Sequence, residues 1–425
     1  MSSEWARVRL KDVANIRNGA GIKQFFFADV GIPLARVTNF TDVSLDLKEC
    51  VYVCPDHALK WNGHTLKEGD VLVATVGSWP PNWSSVVGKA VIVPLSASGA
   101  LQNQNTSCVQ AIDGVASQRF LYYVLRSVDF AFYAANSASG SANQARLPVA
   151  KLAEFEFNMP SLPEQTSIAR ILGALDDRIA LLRDTNTTLE TILQALFKSW
   201  FVDFDSVHAR ARGEQSAGLT PEVASLFPDS FEESELGMVP KGWTVGTLGD
   251  VVTIKGGKQL DKSLFDEQGA NPIFGGAGIM GQTTFKNATG FVITVGRVGA
   301  YCGQFFWHIG DAWVNNNASH IIPVHIEQSV WVYQWLRAAK IDHIKKGAAQ
   351  PFISNSDLAE LKMVIPSDPV IDSFVDIASP IYEKMRLYQE QARSLSSLRD
   401  TLLPRLISGQ LRLPDAKQQL KDLAV

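Results

Sequence analysis

Two amide-rich runs supply side chains that could hydrogen-bond to nucleic-acid bases. They lie in separate halves of the 425-residue chain, 212 residues apart. An Asn or Gln side chain can bond bidentately to adenine, which presents an acceptor and a donor side by side. Asparagine clusters also cap tight turns, so the sequence leaves both interpretations open. The six residues are Asn103, Gln104, Asn105, Asn315, Asn316 and Asn317.

Basic side chains could supply further contacts to guanine or to phosphate. Arg36, Arg146 and Arg297 carry the donor fork that suits either partner. The net charge of −4 and the pI near 6.0 exclude a uniformly basic protein, so nucleic-acid contacts must come from local patches. Six lysines lie in polar or Gly-rich loops, as phosphate contacts do, although solvated surface lysines are the commoner explanation for each. They are Lys23, Lys89, Lys255, Lys258, Lys345 and Lys346.

Residues with a catalytic arrangement are missing from the sequence. The stretch from Asn271 to Gly278 combines features of the catalytic tetrapeptide and of the cofactor loop of amino-methyltransferases, but those two elements cannot share eight residues. Gly88 and Lys89 lack the other residues of a phosphate-binding loop. The seven histidines and four cysteines show no metal-ligand spacing. We therefore predict a non-enzymatic chain with no catalytic residue, metal or cofactor of its own.

Hydropathy and the N-terminal residues favour a cytoplasmic location. No apolar run approaches the roughly 18 residues that a membrane span needs. The chain begins Met-Ser-Ser-Glu-Trp, without the basic and then apolar pattern of a signal peptide. We expect no membrane contact.

An internal repeat must position the candidate side chains. Six residues near the start of the chain recur 238 residues later. The amide-rich runs recur at an offset of 212 residues, and a third group recurs at an offset of 206 residues. The first group is Trp5, Leu10, Asp12, Val13, Ile16 and Gly19, and the third includes Gln144, Leu152, Ala153, Glu154 and Pro160. The two halves therefore share their ends and differ by insertions in their middles.

The repeated middles favour β-strands with one interrupting helix each. Short β-branched segments at 71–76, 89–93, 290–295 and 320–324 are bounded by Gly, Pro or Asn. Helices are predicted at 118–126 and 330–339. Each domain is therefore predicted to be α+β.

A long heptad-patterned helix follows each domain. The first seam comprises Ile168, Leu172, Leu175, Ile179, Leu182, Asn186, Leu189, Leu193, Leu196 and Trp200. The second comprises Phe374, Ala378, Ile381, Met385, Tyr388, Ala392, Leu395, Arg399, Leu402 and Leu406. Spacings of three and four are typical of coiled-coil helices. Asn186 could fix the register or antiparallel orientation, or it could be a tolerated polar residue.

Several motifs together resemble the specificity subunit of a Type I restriction-modification system. They are the run from Leu236 to Asp250, the Pro160-to-Gln165 entry of the first long helix, and Ser199 to Asp205 at its end. The resemblance covers nearly the whole chain. In the second half Pro369-Val-Ile371 replaces Pro163-Glu-Gln165, so the two helices are not expected to dock partners equally.

The resemblance implies a DNA-binding role within a larger complex. Two target recognition domains, separated by two long antiparallel coiled-coil helices in a pseudo-twofold repeat, would each read one half of a bipartite, asymmetric site in double-stranded DNA. The helices would dock two methyltransferase subunits, and restriction/translocase subunits would join them. S-adenosylmethionine, ATP and magnesium would be bound by those partners. The seam and docking candidates are Glu164, Gln165, Leu175, Ile179, Leu182, Asn186, Leu189, Trp200, Phe201, Phe204, Ile381, Met385, Leu395 and Leu402.

Six segments are predicted along the chain. The recognition domains are 1–158 and 240–365, the long helices are 159–205 and 366–412, an acidic linker is 206–239, and a tail is 413–425. Two other functions remain open from the residues alone: a stand-alone DNA adenine methyltransferase and a repeat-built scaffold or adhesin without a DNA role.

Overall fold

The structure is a computed structural model that describes residues 5–82, 86–141, 144–347 and 349–422. The chain forms two compact units, one of Met1–Ala180 with Arg393–Val425 and the other of Leu181–Ala392. We call these the first and the second unit. Both long helices contribute to both units, so the compact units divide the chain differently from the six segments predicted along it.

The first unit is built largely from short strands. Its strands are β1 Ala6–Arg9, β2 Ala14–Asn18, β3 Phe27–Ala28, β4 Ile32–Ala35, β5 Val51–Val53, β6 Val71–Ala74, β7 Val76–Gly77, β8 Ala90–Ile92, β9 Leu101–Gln102, β10 Thr106–Ala111, β11 Ser139–Ser141, β12 Gln144–Arg146 and β13 Glu156–Met159. Its helices include α1 Leu10–Val13, α2 Pro55–Ala58, α3 Gln118–Val124, α4 Val128–Ser137 and α5 Val149–Ala153, followed by the start of α6 Leu162–Phe201.

A four-stranded antiparallel sheet, in the order β2-β10-β6-β8, carries the core of the first unit. Its strands contribute Leu72, Val91 and Cys108 to a buried apolar cluster. A second four-stranded sheet, in the order β3-β5-β4-β9, pairs β4 with β9 in parallel. The helix predicted at 118–126 is confirmed as α3, whose residues from Phe120 to Val124 are all buried.

The second unit repeats this plan. It begins with the end of α6 and contains α7 Asp205–Ala211, α8 Pro221–Ser225, α9 Leu248–Val251, α10 Ser329–Ala338, α11 Asn355–Ala359 and most of α12 Asp368–Ile407. Its strands are β14 Phe231–Ser234, β15 Gly237–Pro240, β16 Thr244–Thr247, β17 Val252–Gly256, β18 Asn271–Gly275, β19 Gly278–Thr283, β20 Phe291–Gly296, β21 Phe305–Ile309, β22 Trp313–Val314, β23 Ala318–Pro323 and β24 Lys362–Ile365.

Strand order and register match between the units. The second sheet runs β17-β23-β20-β21, and Ile254 pairs with Ile321 as Ile16 pairs with Val109. The parallel pair β18 and β22 corresponds to β4 and β9. The predicted repeat of two α+β domains is therefore confirmed in the backbone pairing as well as in the sequence.

Two glycines of the repeat permit the same close backbone approach. A Cβ on Gly19 would lie 1.9 Å from the carbonyl oxygen of Asn103, and a Cβ on Gly257 would lie 2.0 Å from that of Asn315. No larger residue fits either position without moving the backbone. This contact places the end of the first sheet strand beside the amide-rich run in each unit.

The long helices pack antiparallel in the second unit. The Phe197 ring of α6 lies 5.7 Å from the Phe374 ring of α12, and the earlier Asn186 donates through Nδ2 to the later Met385 carbonyl at 3.1 Å. Asn186 thus contacts the partner helix directly, as expected for a residue that fixes register. Phe197 and Tyr382 are more deeply buried than the predicted Leu196 and Ile381, because α-helical periodicity drifts from a strict heptad.

The acidic linker and the tail are folded, unlike ordinary linkers. The linker contains α7, α8 and the hairpin of β14 and β15, and its Phe227 packs edge-on against Trp200 at 5.1 Å. Burial of apolar side chains such as Phe227 outweighs the acidic composition of this segment. The tail contains α13 Leu413–Asp422, which has Ala416 fully buried, while residues 423–425 lie outside the described residues.

Candidate nucleic-acid interface

The first amide-rich run is a tight turn with a buried start. Asn103 is 9% exposed, and its Oδ1 accepts from the amide of Asn105 at 3.1 Å. Its carbonyl accepts from Thr106 Oγ1 at 2.8 Å. Gln104 is exposed and Asn105 is half-buried. Asn103 therefore builds the turn, and the next two side chains are the ones available to a ligand.

The second run has the same design. Asn315 is 6% exposed, and its Oδ1 accepts from the amides of Asn316 at 2.8 Å and Leu260 at 3.3 Å. Asn316 and Asn317 are both exposed. In each run, the first asparagine therefore caps the turn, and the prediction of base contact applies to the two residues that follow it.

The three candidate arginines lie near these turns. Arg36 directly follows Ala35, whose carbonyl accepts from the amide of Asn103 at 3.1 Å. Arg146 is exposed on β12. The Arg297 amide donates to the Asn317 carbonyl at 3.1 Å, which places Arg297 at the turn. All three stay candidates for contacting DNA.

The candidate lysines are in unlike environments. Lys23 is exposed in a loop whose Phe25 side chain is 86% exposed, and the Cβ position of nearby Gly21 lies 3.0 Å from Gln104 Oε1. Lys89 is half-buried, and this burial lowers its pKa. Lys345 and Lys346 form ion pairs with Asp342 and Asp357, at 2.7 and 2.8 Å. Their charge is already partly neutralised within the chain.

Lys255 and Lys258 line an open groove of about 560 Å³ beside the second turn. Asn287, Val314 and His320 also line it. Burial lowers the pKa of His320, and the charge of Lys255 lowers it further, so His320 is neutral at pH 7. The positive charge of this groove therefore comes from lysines.

In the first unit, backbone carbonyl groups occupy the place that corresponds to this groove. Arg17 pairs with Cys108 as Lys255 pairs with His320, but Arg17 Nη1 donates to the Gly63 carbonyl at 2.6 Å and Nη2 to that of Thr65 at 3.2 Å. Gly63 lies in a 3-10 helix, Leu59–His64, in the segment between β5 and β6, whereas only residues 284–290 separate β19 from β20 in the second unit. Sequence reasoning missed this difference because it falls in the unaligned middles.

The methyltransferase-like stretch from Asn271 to Gly278 has a structural role. Its first five residues form β18, between β19 and β22, with Ile273 and Phe274 buried. A buried strand cannot offer the exposed loop that a cofactor needs.

Within the described ranges, no group of three His, Cys, Asp or Glu side chains could hold a metal ion, and no helix could span a membrane.

The cysteines should differ sharply in reactivity. Burial, together with the charge of Asp70, raises the pKa of Cys108 to about 12, and burial also raises the pKa of Cys302. Because the thiolate is the reactive form, we expect Cys108 to react with iodoacetamide at least about 100-fold more slowly than Cys50 or Cys54, which are partly exposed. Peptide mass spectrometry over time would measure this, with denatured protein as the control. Equal rates in the folded chain would contradict the buried position of Cys108.

The first two candidate docking residues make contacts within the chain. Glu164 caps the start of α6 by accepting from Ser161 Oγ at 3.0 Å. Gln165 is fully buried, accepting from the amide of Ser117 at 2.8 Å and donating to the carbonyl of Pro160 at 2.9 Å. In the second half, buried Ile371 takes the place of Gln165. The Pro-Glu-Gln signature therefore starts the helix and attaches it to the first unit.

The remaining docking candidates mostly lie in the seam or core. Trp200 and Phe201 are buried, and Phe204, at a positive φ of 53°, packs on Trp243. Trp200 and Phe201 therefore pack within the chain as seam residues, and a contact with a partner subunit near them stays a prediction. Three further docking candidates are half-buried: Asn186, Leu189 and Ile381. The fully buried ones are Leu175, Ile179, Leu182, Met385, Leu395 and Leu402.

The fold defines a duplicated protein with a matched polar turn in each half and two long helices. The family model described as Type I restriction modification DNA specificity domain matches residues 2–191 and 240–393. The chain belongs to this family. The prediction of a non-catalytic specificity subunit that recognises DNA sequence is thereby confirmed.

Known relatives are similar along most of the chain. The Type I restriction enzyme MjaIX specificity subunit of Methanocaldococcus jannaschii is 24% identical, covering 97% of this chain and 94% of that protein. The HindI specificity subunit of Haemophilus influenzae is 26% identical, covering 81% and 87%. The crystal structure of a Type-I restriction-modification S subunit from M. genitalium has a TM-score of 0.58 at 18% identity, covering 95% and 96%. That structure supports the fold.

Proposed function

We propose that each unit reads one half of a bipartite, asymmetric site in double-stranded DNA. One observation carries this proposal: both units build the same turn on the same backbone, but surround it with different side chains. A shared frame suits a common ligand, and different surroundings suit different sequences. Two linked readers also gain affinity from effective concentration, although each is weak alone.

We also propose that the chain acts in the cytoplasm within a Type I restriction-modification complex. Two methyltransferase subunits would contact the exposed faces of the long helices, and restriction/translocase subunits would join them. Leu181 and Ile192 on α6, and Leu387 on α12, support such contacts because each is at least half exposed outside the buried seam. S-adenosylmethionine, ATP and magnesium would be bound by the partner subunits.

Selection from a randomised duplex pool tests the DNA-reading role. The chain, purified with its methyltransferase subunit, should enrich duplexes that carry two different short elements with an unread gap. The methyltransferase subunit alone is the control and should enrich none. A scaffold or adhesin would leave the pool unchanged in both arms.

The purified chain alone is expected not to bind S-adenosylmethionine. The methyltransferase-like stretch is a buried strand, so it offers no loop to a cofactor. Calorimetric titration should give no heat of binding for the chain and a clear signal for its complex with the methyltransferase subunit. Micromolar binding by the chain alone would favour a stand-alone methyltransferase.

Removing the lysines of the groove should weaken DNA binding without changing the preferred sequence. We expect Lys255→Gln with Lys258→Gln to lower the slope of log affinity against log salt by about 2, because phosphate contacts release counterions. The matched control is Lys345→Gln with Lys346→Gln, which removes equal charge from lysines already in ion pairs. Equal slope changes for both pairs would contradict a phosphate role for the groove.

A further inference from the structure

One backbone position next to each turn carries different side chains in the two units. The amide of Thr75 donates to the Asn105 carbonyl at 2.9 Å, and its carbonyl accepts from the amide of Leu147 at 2.9 Å. In the second unit, Arg297 makes the same two bonds with Asn317 and Ile353, at 3.1 and 3.0 Å. Thr75 and Arg297 are therefore structural equivalents.

The neighbouring strand provides a second matched position. Arg146 of β12 pairs with Val76, and Phe352 forms a bridge to Val298 in the same relation to the turn. Arg146 and Phe352 are thus equivalent as well. At this pair of positions each unit has one arginine, Arg146 at the second position in the first unit and Arg297 at the first position in the second unit.

The guanidinium group of Arg297 lies beside Gly256. Nη1 of Arg297 lies 3.5 Å from the Cβ position of Gly256. The register equivalent of Gly256 is Asn18, whose Oδ1 accepts from Ser107 Oγ at 3.2 Å. A Cβ at position 256 would be in ordinary van der Waals contact with Nη1, and the second unit has no side chain there beside the guanidinium group.

The Arg297 side chain has a hydrogen-bond donor that no described residue pairs with. Its Nε is buried and has no hydrogen-bond partner among the residues that the structure describes. A buried donor without an acceptor is unfavourable and calls for an explanation, such as a ligand that supplies the acceptor. The Phe352 ring nearby is 43% exposed.

We propose that these two positions determine sequence specificity, and that Arg297 and Arg146 each read a guanine in their own half-site. This inference rests on the proposed DNA-reading function. Guanine offers O6 and N7 to the arginine fork in the major groove, which is the commonest specific contact to DNA. The arginine lies at one of these positions in the first unit and at the other position in the second unit. The two half-sites therefore differ from one another.

Methylation mapping with the partner subunits present tests this assignment. Arg297→Gln should lower methylation of the whole motif at least about tenfold, or relax one guanine position that lies in one half-site only. Arg146→Gln should do the same in the other half-site. Arg297→Lys should resemble Arg297→Gln, because lysine keeps the charge but loses the bidentate fork. Copurification with the methyltransferase subunit verifies that each variant folds.

A modified base gives an independent measurement. Replacing the assigned guanine by 7-deazaguanine should weaken binding of the unmodified chain at least about tenfold and leave binding by Arg297→Gln unchanged. A phosphate contact would instead let Arg297→Lys behave like the unmodified chain and leave the motif intact, which would overturn the assignment. If the unmodified chain directs no methylation, the proposed function fails. If it directs bipartite methylation that both glutamine variants keep, only this inference fails.

Discussion

Replacing Trp200 with alanine is expected to destabilise the second unit by about 3–5 kcal/mol, the usual cost of removing a buried large aromatic side chain. The Trp200 indole is 2% exposed. It packs on the rings of Phe227 at 5.1 Å and of Phe201 and Phe374 at 5.9 Å. These rings belong to α6, α12 and the folded acidic segment, so one substitution would loosen three parts of the unit.

Denaturant unfolding followed by far-ultraviolet circular dichroism measures this effect. Ile192→Ala is the matched control on the same helix, since Ile192 is 51% exposed and should change the free energy of unfolding by no more than about 0.5 kcal/mol. Equal effects of the two substitutions would show that Trp200 is not a core residue.

Replacing Arg399 with alanine is expected to destabilise the first unit by about 3 kcal/mol, because it leaves a buried carboxylate without its closest cation. Arg399 Nη1 lies 2.7 Å from Asp176 Oδ1, and the two side chains are 10% and 11% exposed. Tyr123 donates to the same carboxylate at 2.7 Å. Arg126, at 3.7 Å, keeps part of the compensation, so we expect the lower end of the usual range.

A less buried arginine on the same helix is the control for Arg399, since the Arg386 side chain is 23% exposed. Arg386 contacts Glu383 and Glu390, whose side chains are about half exposed. Arg386→Ala should therefore cost no more than about 1 kcal/mol. If both variants unfolded at the same denaturant concentration, Arg399 would be contributing no more than a surface ion pair.

Patterns repeated along the chain were the most predictable features. The offset that aligns Ile16 with Ile254 is also the offset between their strands, because the two residues hold the same register position in their sheets. The seam of α6 was predictable for a similar reason, although a strict heptad favours Leu196 over the buried Phe197. Periodicity identifies the buried face of a helix more reliably than the individual residue on it.

Roles that depend on a distant partner were not predictable. Asn103 and Gln104 are adjacent amides, yet only the structure separates the turn former from the exposed side chain. The equivalence of Thr75 and Arg297 was missed although Val76-Gly77 and Val298-Gly299 follow them, because insertions make the offset there 222, unlike the offsets that align the ends of the repeat. The sequence identified the two turns as a candidate interface, but the backbone pairing was needed to compare the two turns with each other.

Mapping methylated adenines in a genome that carries this chain with its partner subunits tests the central claim most directly. We expect methylation at a motif of two different short elements separated by an unread gap, and loss of that methylation when the gene for this chain is deleted. Methylation that persists without the chain, or that falls on one uninterrupted symmetric motif, would contradict it.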